Sequence, residues 1–236
     1  HFTALLNDDF AHGKSMGPKA IRKKMDEIVK AFAAIPVHKK DKVRVGIVGE
    51  IYVKFAPLGN NNLEAFLLKE NAEPVVPGLL DFLLYTIDTG VEDYTRYGGK
   101  LVKPVVSAYL LHIFSNIQKD MIQAIKKVGC FHAPSSFAQT KAAAKGVIDY
   151  GVKMGEGWLL TAEMMALISE GVNNIVCTQP FGCLPNHICG RGMMRRIKQI
   201  HPNANIVAID YDASATQVNQ ENRLKLMLAN ARKQHL

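Results

Sequence analysis

The chain has 236 residues, 48% hydrophobic and 21% charged, enough apolar material for a sizeable core and too much for wholesale disorder. No apolar run approaches the roughly 18 residues that a membrane-spanning helix needs, and four cysteines exclude a disulfide scaffold. The net charge of +8 favours anionic partners: nucleotides, a CoA moiety, nucleic acid or an acidic protein. Ten Lys/Arg against three acids lie between Lys14 and Arg44, and Arg191, Arg195, Arg196 and Lys198 form a second basic cluster. Neither has a recognition motif beside it, so both read as solvated surface, and nucleic acid and membrane are set aside as partners. The chain starts at His1 without a basic-then-apolar leader, which reads as a piece of a larger cytoplasmic protein.

Residues 14–35 read as a helix with Ser15 as its cap, Pro18 in its first turn, and Ile21, Met25, Ile28, Val29 and Phe32 at helical spacing. Pro36 ends it, and 36–42 look like a linker. Residues 1–42 are thus expected as a helical segment and linker, and 43–236 as an α/β domain. The β-branched run 43–48 predicts a strand followed at once by Gly49. Asn60–Asn62 then precede a helix over 63–69. A second strand over 73–77 carries Pro74 and Pro77 and is expected near a sheet edge. These pieces make a right-handed βαβ unit.

Residues 79–157 read as a helical insertion, its longest helix over 101–127, broken by 129–136. Gly155-Glu156-Gly157 is a turn before a helix over 159–169. Strands over 174–178 and 205–209 alternate with helices over 186–200 and 218–231. Alternation in the first and last thirds predicts a Rossmann/flavodoxin-like open parallel sheet of four strands, order 2-1-3-4, with helices on both faces.

Ligands of such sheets bind past the carboxyl ends of the strands, where the strand order reverses. There the sequence places Glu50, the segment Cys177–Cys189 and Asp210-Tyr211-Asp212. Thiolates bind soft metals and iron–sulfur clusters, although Cys-x5-Cys-x5-Cys is not a zinc-knuckle spacing. Cys183 lies in a Gly/Pro loop whose free N–H groups can serve cluster sulfurs or an anion, and it reads as a ligand. Cys177, at a strand end, and Cys189, within a helix, read as core residues, free cysteine being among the most buried types. His187 reads as a helix-start side chain, and Cys130 as a packing residue. Glu50 is either a general base or polar neighbour of the site, or a turn cap. Asp210 and Asp212 invite Mg²⁺ or ribose but read as loop acids paired with Arg223. Met193 and Met194 read as core, and Trp158 as packing at the start of its helix.

Gln179-Pro-Phe-Gly-Cys-Leu-Pro-Asn-His-Ile188, with Asp210-Tyr-Asp212 and Asn219-Gln-Glu-Asn-Arg223-Leu, resembles the 2-hydroxyacyl-CoA dehydratase superfamily. The likeness is to the C-terminal region of CoA-substrate-specific enzyme activases, relatives of double-cubane cluster proteins. Gly46-Ile-Val-Gly-Glu50, Asn60-Asn-Asn-Leu63 and the segment Gly155–Glu163 fit the same branch. The resemblance implies an iron–sulfur cluster of the 4Fe–4S kind, tandem α/β domains and an ATP-driven module that delivers a low-potential electron for dehydration of a 2-hydroxyacyl-CoA. Cys183 matches the cluster cysteine of the last domain, with Cys177 as companion and Glu50 and Glu156 as polar neighbours. The implied partners are earlier domains or an ATPase module of the parent chain and a CoA ester. No phosphate-binding GxxxxGK[ST] motif is present, so this chain is not expected to hydrolyse ATP, or to complete a cluster or act as an enzyme alone. The alternative is a non-catalytic nucleotide-, CoA- or subunit-docking domain with structural cysteines.

Overall fold

A computed structural model describes residues 2–14, 17–38, 40–212 and 214–234. Its sheet is built from four short runs rich in Val and Ile: β1 (Val43–Gly49), β2 (Ala72–Val75), β3 (Asn174–Pro180) and β4 (Asn205–Tyr211). All pairings are parallel and the order is β2-β1-β3-β4, as the alternation predicts. Strand β2 is an edge strand, where Pro74, opposite Val45, is tolerated.

Along β1, Val45 and Ile47 point to one face and Gly46 and Val48 to the other. On the first face they pack with Leu63 and Leu67 of α4 (Leu63–Lys69) and Leu224, Met227 and Leu228 of α10 (Gln217–Gln234). On the second face Val48, Ile175 and Cys177 meet Met164, Leu167 and Ile168 of α8 (Trp158–Ser169) and Ile197 of α9 (Met194–Ile200). Helix α8 is buried almost all round, because α5 (Leu79–Tyr97) and α7 (Phe137–Ala143) cover its outer side. Trp158, fully buried, packs edge-on against Tyr85 and Tyr150 as the start of that helix requires. Met193 and Met194 pack against the second face.

The helical insertion is completed by α6 (Val102–Val128). Helix α2 (Pro18–Ala33) lies on α6, with Arg22 on Asp120 at 2.9 Å and Lys127 on Asp26 at 3.4 Å. Two short helices carry no clear sequence signal: α1 (Phe2–Ala11) and α3 (Ile51–Phe55). The cap expected at Ser15 lies outside the described residues. At α4 the capping side chain is that of Asn60, whose Oδ1 accepts from Leu63 N–H at 3.1 Å, while Asn62 takes a left-handed backbone.

The helix expected over 186–200 is not continuous. It opens with a wide π-type turn, Asn186–Gly190, passes through a tight 3₁₀ turn at Arg191–Met193, and becomes α-helical only from Met194. The Cys189 carbonyl, an acceptor that a regular helix would use, takes the Thr161 hydroxyl at 2.7 Å. Among the described residues no helix is long and apolar enough to cross a membrane.

Candidate functional site

Strand β1 leaves the sheet at Gly49, which has φ +148°. A Cβ there would lie 1.9 Å from the Thr178 carbonyl oxygen, so only glycine allows the chain to turn this close to β3. Glu50 N–H donates to that same carbonyl at 3.1 Å. The Glu50 side chain caps α3, Oε2 accepting from Val53 N–H at 2.8 Å. Of the two readings offered by the sequence, the geometry assigns the cap.

The next backbone N–H, of Ile51, donates to Glu156 Oε1 at 3.3 Å. Glu156 is buried in its glycine turn, and its other oxygen accepts from Asn186 Nδ2 at 3.1 Å. The same amide nitrogen reaches Cys183 Sγ at 3.3 Å. Glu50, Glu156 and Cys183, drawn from three distant segments, therefore meet at the carboxyl edge of β1 and β3. Asn186, fully buried, joins Glu156 to Cys183, and Glu50 adjoins them through the next residue, Ile51. The Cys183 thiol is half-exposed, and an N–H donor to its sulfur holds it in one orientation. His187 holds the base of the loop, its ring between Gly182 N–H at 3.2 Å and the Gln179 amide at 3.1 Å.

Cys177 does not share that setting. It is fully buried on the α8 face of the sheet, closed over by Gly190, where a Cβ would fall 2.7 Å from its sulfur. Burial, then the nearby Glu163, Asp210 and Glu156, push its thiol up to about 12. Cys189 is buried too and pushed up to about 11, by burial first and Glu156 second. The pair expected to act together is divided: Cys183 faces out, and Cys177 stays a protonated core thiol. Cys130, expected to pack, is exposed, because 129–136 pass over the surface as an irregular loop.

The aspartates are also reassigned. Asp210 takes Gln179 Nε2 at 2.5 Å and Arg191 at 3.3 Å, not Arg223. Arg191 lies in the turn after β3, on the same sheet edge, whereas Arg223 is on the exposed side of α10. Gln220 Nε2, not Arg223, fastens α10 to this edge, on the Asp210 carbonyl at 2.9 Å. Asp212 binds the Ser214 hydroxyl at 2.5 Å.

Beneath the site lies an ion pair that the sequence does not announce: Lys54 Nζ lies 2.9 and 3.1 Å from the two Glu163 oxygens, and both residues are buried. Burial pushes the Glu163 carboxyl above the ordinary range and Lys54 pulls it back. Two neighbouring carbonyl oxygens, Gln179 Oε1 and Asn186 Oδ1, are buried without a hydrogen-bond partner among the described residues.

These features define the class: a Rossmann/flavodoxin-like α/β protein with polar loops gathered where the strand order reverses. No family model, curated protein or solved structure matches the chain. Among the described residues no group of three or more His, Cys, Asp or Glu is placed to hold a metal ion. An iron–sulfur cluster takes several thiolates, and here one thiol of the segment faces out while two are in the core. The residues fit one ligand of such a cluster and not a full set.

Proposed function

We propose that this chain is an α/β domain of an iron–sulfur electron-transfer component of the 2-hydroxyacyl-CoA dehydratase/activase type, with Cys183 supplying one thiolate. The remaining ligands come from outside the described residues. The observation that carries this reading is the contact of the buried Asn186 amide with the half-exposed Cys183 sulfur, backed by Glu156. It sets a single oriented sulfur on the ligand-binding edge of the sheet. The resemblance of the segment Gln179–Ile188 supports the same assignment. A bound cluster would supply a one-electron couple. The chain's own residues would orient one sulfur, offer it an N–H, and keep Cys177 and Cys189 out of competition by burial.

The test is iron and acid-labile sulfide, with the visible spectrum, on the anaerobically reconstituted full-length protein. Cys183→Ser should lose the cluster absorbance while keeping the fold, and Cys177→Ser should keep it. A cluster retained in Cys183→Ser would sink the assignment. A second reading, subunit docking without a cluster, is favoured by one observation: Phe181, Leu184 and Ile188 are all exposed on this loop. A colourless, metal-free full-length protein would decide for it.

A further inference from the structure

A cavity of about 360 Å³ opens between the β2 edge of the sheet, α8 and the helical insertion. Its walls are mostly aliphatic, from Val75 and Val76 on one side, Met121 and Ile125 of α6, and Ala166 and Leu167 of α8. Arg44, Asp81, Glu163 and Glu170 also reach it. Glu163 is neutralised by Lys54. Glu170 Oε1 accepts from Ser135 N–H at 2.9 Å and from its hydroxyl at 2.5 Å. Asp81 Oδ1 accepts from Gln118 at 2.6 Å, and burial pushes its carboxyl up to about 6.

Arg44 is the exception. It shares the α8 face of β1 with Gly46, where a Cβ would fall 2.7 Å from Leu167, so its side chain runs towards the cavity. Arg44 is partly buried; its side chain makes no ion pair or hydrogen bond among the described residues, and its Nε–H alone is a buried donor without an acceptor. A guanidinium cannot shed its charge, and a buried donor left unmet is costly. Asp81 Oδ2 and Glu170 Oε2 accept nothing from the described residues and, unlike the Arg44 Nε, both are open to solvent.

We infer that this cavity binds the zwitterion of a small apolar α-amino acid, its carboxylate on Arg44, its ammonium on Asp81 and Glu170, and its side chain on the aliphatic wall. A simple anion would meet the two acids, and a simple cation would meet Arg44. A hydrocarbon would leave the buried Arg44 Nε–H unmet and offer nothing to the two carboxylates. The site is separate from Cys183, and the inference does not depend on any cluster.

The experiment is calorimetric titration of the intact protein with L-leucine, L-valine, L-methionine and, as the analogue without a carboxylate, L-leucinamide. At least one of the three amino acids should bind saturably. L-Leucinamide should bind about tenfold or more weakly than L-leucine, and Arg44→Met should weaken the amino acid about tenfold or more. Ala166→Leu, which fills the cavity from α8, should abolish binding. Circular dichroism establishes that each variant is folded; should Arg44→Met fail to fold, the leucinamide comparison and Ala166→Leu decide. Absence of saturable binding at millimolar amino acid overturns the inference. So does binding unchanged in folded Arg44→Met or Ala166→Leu, or equally tight binding of L-leucinamide. None of these outcomes alters the iron content, so this inference and the Cys183 assignment fail separately.

Discussion

The loop around Cys183 and the core beneath it are joined at β3, yet they differ in how their polar groups are used. In the core, Lys54 meets Glu163, Thr161 meets the Cys189 carbonyl and Thr178 meets the Val48 carbonyl at 3.1 Å. On the loop, Cys183 is half-exposed, Phe181, Leu184 and Ile188 face outward, and the Asn186 carbonyl has no partner among the described residues. The core pairs most of its polar groups, and two buried carbonyl oxygens at the root of the loop, Gln179 Oε1 and Asn186 Oδ1, are left with capacity to bind. Burial, rather than residue type, separates the three cysteines of this segment into two that stay inert and one that can act.

The largest way to break the contrast is Lys54→Met, which leaves the Glu163 carboxyl buried without its counter-ion, to be protonated or held unpaired at a cost. The expected loss is ~3–5 kcal/mol in urea unfolding, with most of it recovered in Lys54→Met/Glu163→Leu. Next is Asp81→Asn. Burial pushes the folded carboxyl up to about 6 from 3.8, so the folded state binds this proton more tightly. Its contribution to stability is fully present below pH 3.8 and is lost as pH rises through 6. The Asn variant should therefore gain on the native protein by about 3 kcal/mol between pH 4 and 7, measured as the difference of two urea midpoint series. A difference that stays flat with pH would refute the shift.

Cys177→Ser places a hydroxyl in the sheet core and should cost ~1–3 kcal/mol. Cys183→Ser should change stability by less than ~0.5 kcal/mol. Equal losses in the two would erase the distinction between loop and core. The smallest perturbation is chemical labelling at neutral pH. Iodoacetamide should modify Cys183 and exposed Cys130, and reach Cys177 and Cys189 only after unfolding.

Much of the sheet was legible because β-branched runs and the alternation with helices report it directly, as in Val43–Val48 and the strand order. The placing of Glu50, Cys183 and Asp210 on one edge was legible for the same reason, whereas Glu156 was expected there only through the family resemblance. What escaped depends on contacts between distant segments. Lys54 and Glu163 are 109 residues apart, and nothing local to either marks a buried pair. The π-type turn escaped because the helical pattern of 186–200 takes no account of Thr161, which draws off the Cys189 carbonyl. Arg44 did leave a trace, a charge inside an otherwise apolar strand, but only the cavity beside it gives that charge a use. Asn186 was visible as a residue and not as a bridge, since its partners Glu156 and Cys183 come from opposite sides of α8 in sequence.

The parallel order β2-β1-β3-β4 also bears on how the chain assembles. The contact from Thr178 to Val48, across the centre of the sheet, spans 130 residues, whereas that from Asn205 to Asn174 spans 31. Closing the longer loop costs about 1 kcal/mol more in chain entropy, and the insertion of α5, α6 and α7 has to collapse to shorten it. The two βαβ halves are thus the quick, local steps and the β1–β3 ladder is the slow joint. The edge that gathers Glu50, Glu156 and Cys183 exists only once that joint has closed, so the site reports completed folding rather than any earlier stage.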